Sequence, residues 1–386
     1  MVESEFNHYE LRLEEPPFDS PLIDLIIDLN HLRKKQLGGT TPARVFFQLK
    51  SVFHIMESIG SARIEGNNTT LLEYIETKLE ERRDVPSGIR EIQNIENAMD
   101  FIERNVKDHP ITRAFICELH KIVVDGLSPP PKGEGDRNPG EYRKSNLKIN
   151  QSHHCPPDFL KVEDYMNELL DFINKNNSPK YDLLKTAIAH HRFVWIHPFG
   201  NGNGRTVRLF TYAMLIKLGF NVNVGRIINP TAVFCNNRSN YYKYLEKADS
   251  GKSSGVLAWC EYVLQGLREE IEKIDRLLNY EYLAKEILFP TINFSLEKKY
   301  ITDIEAKILR RAIDQKTVRS SDLKDIFPGK HSSEVSRQIK KLVEKKMLEK
   351  EGARYYGISF GHSYLLRAMI KVLGEKGFLP DLNGDC

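Results

Sequence analysis

The most informative segment of the sequence is Ile196-His197-Pro198-Phe199-Gly200-Asn201-Gly202-Asn203-Gly204-Arg205-Thr206-Val207-Arg208. Its glycines let the backbone approach a ligand closely, and the helix predicted over residues 203–218 turns its positive end toward them, which makes an anion site. Arg205 and Arg208 lie three residues apart on that helix and can bind phosphate oxygens. His197 precedes the glycines as the natural general base, so the stretch predicts transfer of a phosphate-containing group to a hydroxyl.

Two widespread phosphate-binding loops do not fit this stretch. It lacks the Gly-Lys-[Ser/Thr] ending of a Walker A loop, and no strand is predicted before it, as a Rossmann turn requires. The combination of a histidine, a glycine-rich loop and two spaced arginines therefore indicates a phosphate site of a different kind from these two loops.

The composition is that of a globular protein with two or three domains. The chain has 386 residues, of which 28% are charged and 40% hydrophobic. No apolar run approaches the length of a membrane span, and the polar N-terminus does not resemble a secretory signal. Five scattered cysteines without a Cys-x-x-Cys pair are typical of a reducing compartment. We therefore expect a cytoplasmic protein with no membrane contact.

The pattern of apolar residues is mainly helical. Helical spacing predicts helices over residues 21–35, 46–64, 89–102, 113–124, 162–173, 181–194, 203–218 and 254–278. Residues 147–150 alternate and are the best strand candidate in this part of the chain. The segment from Pro290 to Lys299 interrupts the helical pattern, and we expect a linker there.

Residues 301–360 form a basic module, with 14 Lys and Arg against nine Asp and Glu. Three short helices and a hairpin with a glycine turn at residues 348–358 predict a winged helix-turn-helix domain. The third helix displays Arg337, Lys340 and Lys341, which can contact DNA phosphates. The alternative is that these cations only solvate an outer face and that the module binds protein or regulates; the two alternatives stay open.

The segment from His197 to Arg208 resembles the signature of Fic-domain proteins, His-Pro-Phe-x-[Asp/Glu]-Gly-Asn-Gly-Arg-x-x-Arg, at every position except Asn201. Further resemblance lies in Gly140-Glu141-Tyr142-Arg143, in the residues after it, and in residues 189–193 and 237–245, so that it covers roughly the first 280 residues. It implies a mainly α fold, an all-α Fic bundle with a β-hairpin flap over the active site. It also implies a nucleotidyltransferase that moves AMP from ATP to a Ser, Thr or Tyr hydroxyl of a target protein.

The resemblance also implies roles for individual residues. His197 would deprotonate the target hydroxyl as it attacks the α-phosphate. The nucleotide-binding residues would be Asn201, Gly202, Asn203, Gly204, Arg205, Arg208, Tyr241, Tyr242 and Asp249. The flap residues Leu147, Lys148, Ile149, Asn150 and Gln151 would pin the target segment by strand-like pairing. The cofactors would be ATP with Mg²⁺ or Mn²⁺.

Asn201 departs from the family at the position of its metal ligand. An amide oxygen can coordinate Mg²⁺ but brings no charge, so metal binding should be weaker and transfer slower. Three hypotheses follow: a slow AMP transferase, an enzyme with another nucleotide or metal, or a degenerate member. Kinase activity like that of the Doc toxins ranks lower, because those proteins have Asn-Ala-Asn-Lys-Arg where this chain has Asn-Gly-Asn-Gly-Arg.

Ser61-Ala62-Arg63-Ile64-Glu65-Gly66 resembles the family's inhibitory motif, [Ser/Thr]-x-x-x-Glu-[Gly/Asn], and implies the subclass with an N-terminal inhibitory helix. Glu65, at a helix end, can pair with Arg208 and remove the partner of the γ-phosphate. The alternative is a surface carboxylate.

The predicted organisation has four parts. Residues 1–110 are a helical region with the inhibitory helix, 111–285 the catalytic core, 300–362 the winged helix-turn-helix, and 363–386 a tail helix. Two function classes remain. The first is a self-inhibited adenylyltransferase, whose winged helix sets location or homo-oligomeric state. The second is a DNA-binding regulator with a nucleotide-sensing or degenerate core.

Overall fold

The computed structural model describes residues 6–34, 39–79, 85–107, 109–149, 152–220, 230–235 and 237–378. These residues are mainly helical, as predicted. The helices are α1 (Pro21–Lys34), α2 (Ala43–Ile64), α3 (Leu71–Leu79), α4 (Ser87–Asn105), α5 (Arg113–Val124), α6 (Val162–Asn174), α7 (Asp182–Ile196), α8 (Asn203–Lys217), α9 (Pro230–Cys235), α10 (Arg238–Ala248), α11 (Ser253–Asp275), α12 (Tyr280–Leu283), α13 (Phe289–Glu297), α14 (Asp303–Asp314), α15 (Ser332–Glu344) and α16 (Ser363–Glu375). Among the described residues, no helix is both long and apolar enough to cross a membrane.

The helices pack around three hydrophobic cores. The first contains apolar residues of α4, α5, α7 and α8, including the fully buried Phe193 and Phe210. The second joins α1 and α11 to α7 and α10, with Trp259 at its centre. The third joins the first half of α2 to helices α12 to α16. Helix α2 therefore runs from the third core into the first.

The C-terminal module has the order of elements that the sequence predicts. A 3₁₀ turn at Ser320–Leu323 separates α14 from α15, and strands β1 (Leu348–Lys350) and β2 (Tyr356–Ile358) follow. These strands pair antiparallel, with Leu348 opposite Ile358, and form the wing hairpin. A reciprocal capping box between Thr302 and Glu305 fixes the start of α14.

The linker predicted over residues 290–299 was wrong. Most of that segment is helix α13, which follows a π-helical turn at Ala284–Leu288. Pro290 lies in the first turn of α13, directly after the π-helical turn, and such a local change of helix type accommodates a residue without an N–H. Ile292 is fully buried in the third core, so this segment connects α11 to the C-terminal module by packing.

The strand expected over residues 147–150 is not formed by its described residues. Leu147, Lys148 and Ile149 lie in neither helix nor strand, and Asn150 and Gln151 fall outside the described residues. An isolated hairpin has little stability without a further strand or a partner chain to pair with. The two-stranded sheet that the structure does describe is the wing hairpin.

Candidate active site

His197 lies at the point where α7 ends. Its backbone is left-handed (φ 51°, ψ 61°), and its N–H still bonds to the carbonyl of Phe193 at 3.0 Å. Nδ1 lies 3.3 Å from the carbonyl of Val194, so a neutral ring with its proton on Nδ1 presents the Nε2 lone pair to the site. Burial lowers the pKa of His197 to about 4, and the imidazole is therefore neutral at pH 7. A neutral imidazole is the form that accepts a proton.

Arg143 holds the backbone around His197. Its Nε donates to the carbonyl of His197 at 2.9 Å, and its own backbone N–H donates to the carbonyl of Pro198 at 2.8 Å. The Arg143 side chain is buried, so these bonds are protected from water. The sequence placed this arginine only in a family-like segment before the flap; its bonds to the histidine turn are a finding of the structure.

The loop after His197 is held by side chains from inside and outside the motif. Asn203 exchanges two hydrogen bonds with the backbone of Phe199, both at 2.9 Å. His120, from α5, stacks on the Phe199 ring with 3.8 Å between ring centroids. The side chain of Asn203, predicted to bind nucleotide, is thus engaged in the loop, and its backbone N–H remains at the first position of α8.

His120 also fixes the carbonyl of Asn201. The N–H of Gly140 donates to Nδ1 at 2.9 Å, so the ring proton is on Nε2, which lies 3.0 Å from the Asn201 carbonyl. Burial lowers the pKa of His120 to about 4. A neutral ring in a single tautomer satisfies both bonds.

Asn201 faces the loop of residues 134–136. Its N–H donates to Asp136 Oδ2 at 2.8 Å, and its Nδ2 donates to the carbonyl of Gly135 at 3.1 Å. Glu134 Oε2 lies 3.4 Å from the same Nδ2. Asp136 was not predicted from the sequence. Its one available signal was the Asp-x-Asn spacing of a local turn, in which the N–H of Asn138 donates to Asp136.

Two glycines shape the start of α8. Gly202 has φ +74°, a conformation that residues with a Cβ rarely adopt. A Cβ on Gly204 would overlap Glu65 Oε1, so this glycine is what lets the carboxylate approach the helix end. The first turn of α8 therefore presents bare backbone and its positive end to an anion.

Arg208 binds the end of helix α2 through three hydrogen bonds. Its Nε donates to Ser61 Oγ at 2.9 Å, and its Nη2 donates to the Ser61 carbonyl at 2.9 Å and to Glu65 Oε1 at 2.7 Å. Arg208 is 1% exposed and the Glu65 side chain 27%. Burial opposes ionisation of Glu65, but the guanidinium groups of Arg208 and Arg205 outweigh it and hold the Glu65 pKa below its usual range. A carboxylate thus lies at the predicted phosphate site.

Arg205 has a different partner from Arg208. Its Nη1 lies 2.8 Å from Glu91 Oε1, and its Nη2 donates to the Glu134 carbonyl at 2.7 Å. Glu91 is buried on α4 and also accepts a hydrogen bond of 2.7 Å from Asn67 Nδ2. The arginines predicted to share one phosphate are therefore engaged by two different carboxylates, and Glu91 and Asn67 were not foreseen.

The three residues predicted to lie near the adenine differ in their hydrogen bonds and in their exposure. The Tyr241 hydroxyl lies 3.0 Å from His190 Nε2 in a buried pair, and Asp249 Oδ1 lies 2.9 Å from His191 Nε2. Tyr242 is 44% exposed. Of the three, Tyr242 is the most exposed, and the Arg238 guanidinium lies 5.5 Å from its ring centroid.

The DNA candidates lie on the outer face of α15. Lys340 and Lys341 are exposed, and Arg337 pairs with Glu334 at 3.0 Å. They lie on the C-terminal module, whereas the histidine and glycine loop lies between α7 and α8.

Asn201 and Glu134 carry oxygen donors for a hard cation. The part of the chain that the structure describes contains no group of three or more His, Cys, Asp or Glu side chains arranged for a metal ion. The Asn201 amide oxygen and the Glu134 carboxylate are donors of the kind that Mg²⁺ prefers, but the Asn201 atom that lies 3.4 Å from Glu134 Oε2 is Nδ2. A cation between these two residues would require the amide to turn its oxygen toward Glu134.

The part of the chain that contains this site is similar to known proteins. Residues 110–215 match the Fic/DOC family. A protein adenylyltransferase Fic of Aedes aegypti is 30% identical over 204 residues, which are 51% of this chain and 37% of that protein. One of Nematostella vectensis is 29% identical over 197 residues, 50% of this chain and 42% of that protein. The matches thus span about two fifths of the length of these curated relatives.

Solved structures share the fold over a longer part of the chain. A Fic family protein from Desulfovibrio desulfuricans G20 superposes with a TM-score of 0.54 at 22% identity, and the match covers 90% of this chain and 98% of that one. A Fic domain-containing signalling protein from Bacteroides thetaiotaomicron gives a TM-score of 0.53 at 17% identity over 67% of this chain and 97% of its own.

Proposed function

We propose that the protein is a self-inhibited protein adenylyltransferase, which moves AMP from ATP to a Ser, Thr or Tyr hydroxyl of a target protein, itself included. The proposal rests on one contact: the Glu65 carboxylate binds Arg208 at the glycine-containing first turn of α8. The neutral imidazole of His197 lies at the other end of the same loop. An anion already sits where a phosphate would bind, and the group that holds it belongs to another helix.

The transfer requires a general base, and the neutral imidazole of His197 can accept a proton. The target hydroxyl gives its proton to Nε2 while its oxygen attacks the α-phosphorus. The bond from that phosphorus to the oxygen bridging to the β-phosphate breaks, and pyrophosphate leaves. The hydrogen bond from Nδ1 to the Val194 carbonyl and the hydrogen bond from Arg143 to the His197 carbonyl orient the ring for this step.

The phosphates are bound by the first turn of α8 and by its arginines. Backbone N–H groups of Asn203 and Gly204 face the loop, and the helix dipole favours negative charge there. Arg208 would bind the γ-phosphate once Glu65 leaves it. Arg205, anchored by Glu91, contributes a fixed positive charge behind the turn. Tyr242, the exposed ring of the predicted set, would contact the base.

The cation would be held by Asn201 and Glu134, with the phosphates completing its coordination. Mg²⁺ or Mn²⁺ supplies charge neutralisation of the leaving pyrophosphate when bound. Asn201 supplies oxygen without charge, so we propose that the turnover is slow and that the Glu134 carboxylate provides the negative charge near the cation.

The brake acts by occupying Arg208. While Glu65 and Ser61 take its hydrogen bonds, the guanidinium is withheld from the γ-phosphate, and ATP cannot adopt the productive pose. Release requires Glu65 to move away from Gly204. We propose the cytoplasm as the compartment of this activity, because a reducing compartment would keep the described cysteines as thiols.

The test compares ATP labelled on the α-phosphate with ATP labelled on the γ-phosphate, using the full chain released by Glu65→Gly. Transfer of the α label alone to protein supports the proposal. Transfer of the γ label would mean phosphorylation, and transfer of neither, with Mg²⁺ or Mn²⁺, would reject an ATP-dependent transferase.

A second candidate function is a DNA-binding regulator with a nucleotide-sensing or degenerate Fic core. The exposed Lys340 and Lys341 on α15 and the uncharged Asn201 favour it. A brake that fits a complete phosphate site favours the enzyme, because a core without activity needs no brake.

A further inference from the structure

Helix α2 is one continuous helix with a different partner at each end. It runs without interruption from Ala43 to Ile64, and Glu65 follows directly. At 1.5 Å per residue, about 30 Å separate Arg44 from Glu65. The end near Glu65 binds Arg208, whereas the end near Arg44 binds the wing hairpin.

Arg44 makes the first contact with the wing hairpin. Its Nε donates to Glu351 Oε1, and its Nη1 donates to the carbonyl of Ile358. Glu349 Oε2 lies 3.6 Å from the same Nη1. The Arg44 side chain is 17% exposed. An arginine bound to a carboxylate and a carbonyl in such a place is held in one geometry, unlike a solvated surface pair.

Gln48 makes the second contact, one turn further along α2. Its Nε2 donates to the Ile358 carbonyl at 3.4 Å, and its Oε1 accepts the N–H of Phe360 at 2.9 Å. Residues four apart lie on one face of a helix, so Arg44 and Gln48 bind the strand β2 and its exit together.

Packing continues these polar contacts along the helix. Val45, Phe46 and Leu49 are buried in the third core with the C-terminal module, and Ile59 and Ala62 are buried in the first core. The first half of α2 is thus part of the C-terminal module, and the second half carries the brake.

We infer that Arg44 and Gln48 are positioning residues for the brake: they tie α2 to the wing hairpin in the register at which Glu65 reaches Arg208. The inference rests on the proposed function, since it concerns the regulation of that site. A close-packed helix moves as a unit, so a shift at the wing end displaces Glu65. The C-terminal module thereby gains control over the active site from a distance.

The experiment measures self-labelling of the full chain from α-labelled ATP. The variants are wild type, Arg44→Ala with Gln48→Ala, Arg44→Lys, Glu65→Gly, and the Arg44→Ala, Gln48→Ala pair in the Glu65→Gly background. Lys345→Ala is the matched control: it removes an ion pair of the C-terminal module, 2.6 Å long to Glu305, that does not involve α2.

Release of the brake should raise labelling by the alanine pair about tenfold, the equivalent of one charge-assisted hydrogen bond. The KM for ATP should move in the same direction as in Glu65→Gly. Arg44→Lys keeps a donor and a cation beside Glu351 and should stay close to wild type, as should Lys345→Ala. In the Glu65→Gly background the alanine pair should add nothing, because the brake is already gone.

Each other result overturns the inference. Wild-type labelling by the alanine pair, together with raised labelling by Glu65→Gly, rejects the link and leaves the proposed function standing. A loss of labelling in both backgrounds shows that the pair only supports the fold. Equal increases with Lys345→Ala show that any loosening of the module suffices. No increase with Glu65→Gly itself rejects the brake and the proposed function with it.

Discussion

Glu65 Oε1 lies 2.7 Å from Arg208 Nη2, and the same guanidinium binds the hydroxyl and the carbonyl of Ser61. Arg208 is fully buried, so water does not solvate its charge. The three acceptors make the hydrogen bonds that water would otherwise make. Whatever replaces Glu65 must also carry negative charge and oxygen acceptors. A nucleotide phosphate meets both requirements, which is why the pairing and the proposed catalysis compete for one group.

Ser61→Ala should partly release the brake. The change removes the acceptor for Arg208 Nε but leaves the Ser61 carbonyl and Glu65 in place. We expect self-labelling from ATP to rise severalfold, and less than in Glu65→Gly. Ser58→Ala is the control, because its hydroxyl, one turn earlier on α2, lies 3.9 Å from the Met99 sulfur and is not one of the three acceptors of Arg208. Equal labelling by the two serine variants would contradict the role of Ser61.

Asn201→Asp should strengthen cation binding. The added carboxylate stands beside Glu134, so the half-saturating concentration of Mg²⁺ should fall by about tenfold and turnover should rise. Direct binding of Mn²⁺, followed by its electron paramagnetic resonance, gives a readout that does not depend on activity. Asn138→Asp adds the same charge at an exposed position of the neighbouring loop. An unchanged affinity in Asn201→Asp, or the same gain in Asn138→Asp, would reject Asn201 as a ligand.

The stability of the fold should fall as the pH is lowered from about 6.5 to about 4. Burial holds the pKa of His120 near 4, whereas an unfolded histidine has a pKa near 6.5, so in this window only the unfolded chain binds the proton. The free energy of unfolding should therefore fall by about 1.4 kcal/mol per pH unit for this residue. His120→Gln should show a slope smaller by nearly one proton, measured by denaturant unfolding at several pH values. Identical slopes would show that His120 is protonated in the folded protein.

The DNA-binding candidate depends on α15. Lys340→Ala with Lys341→Ala should weaken binding to duplex DNA and reduce the dependence of the affinity on salt, because two phosphate contacts are lost. Lys371→Ala, on α16, is the control, since it removes an exposed cation from another face. Wild-type affinity and salt dependence in the double variant would remove α15 from DNA binding.

Much of the fold could be predicted from the sequence, because amphipathic periodicity and helix stops are local signals. Helix α5 has the predicted bounds of Arg113 and Val124, and α8 begins at the predicted Asn203. The prediction failed at Pro290, where the residue type alone cannot distinguish a helix break from a first helical turn. The strand expected at residues 147–150 is not formed by its described residues, because strand formation depends on a partner that the local sequence does not show.

The candidate site could be predicted only in part. The motif placed His197 beside the first turn of α8, and the second motif predicted the approach of Glu65 to Arg208. The supporting residues lie far away in sequence: Arg143, Asp136 and His120 are 54, 65 and 81 residues from the loop atoms that they bind. Such contacts have no periodicity, and a single histidine or aspartate in a helix or turn looks like any other until the chain is folded.

Self-inhibited adenylylation can be measured as the transfer of label from α-³²P-ATP to the protein itself and to proteins of a cell lysate. The variants are wild type, Glu65→Gly, and Glu65→Gly with His197→Ala. Self-inhibited adenylylation predicts little label in wild type, strong label in Glu65→Gly, and none when the histidine is also replaced. Label that survives the loss of His197, or its absence from every variant with either Mg²⁺ or Mn²⁺, would contradict the account.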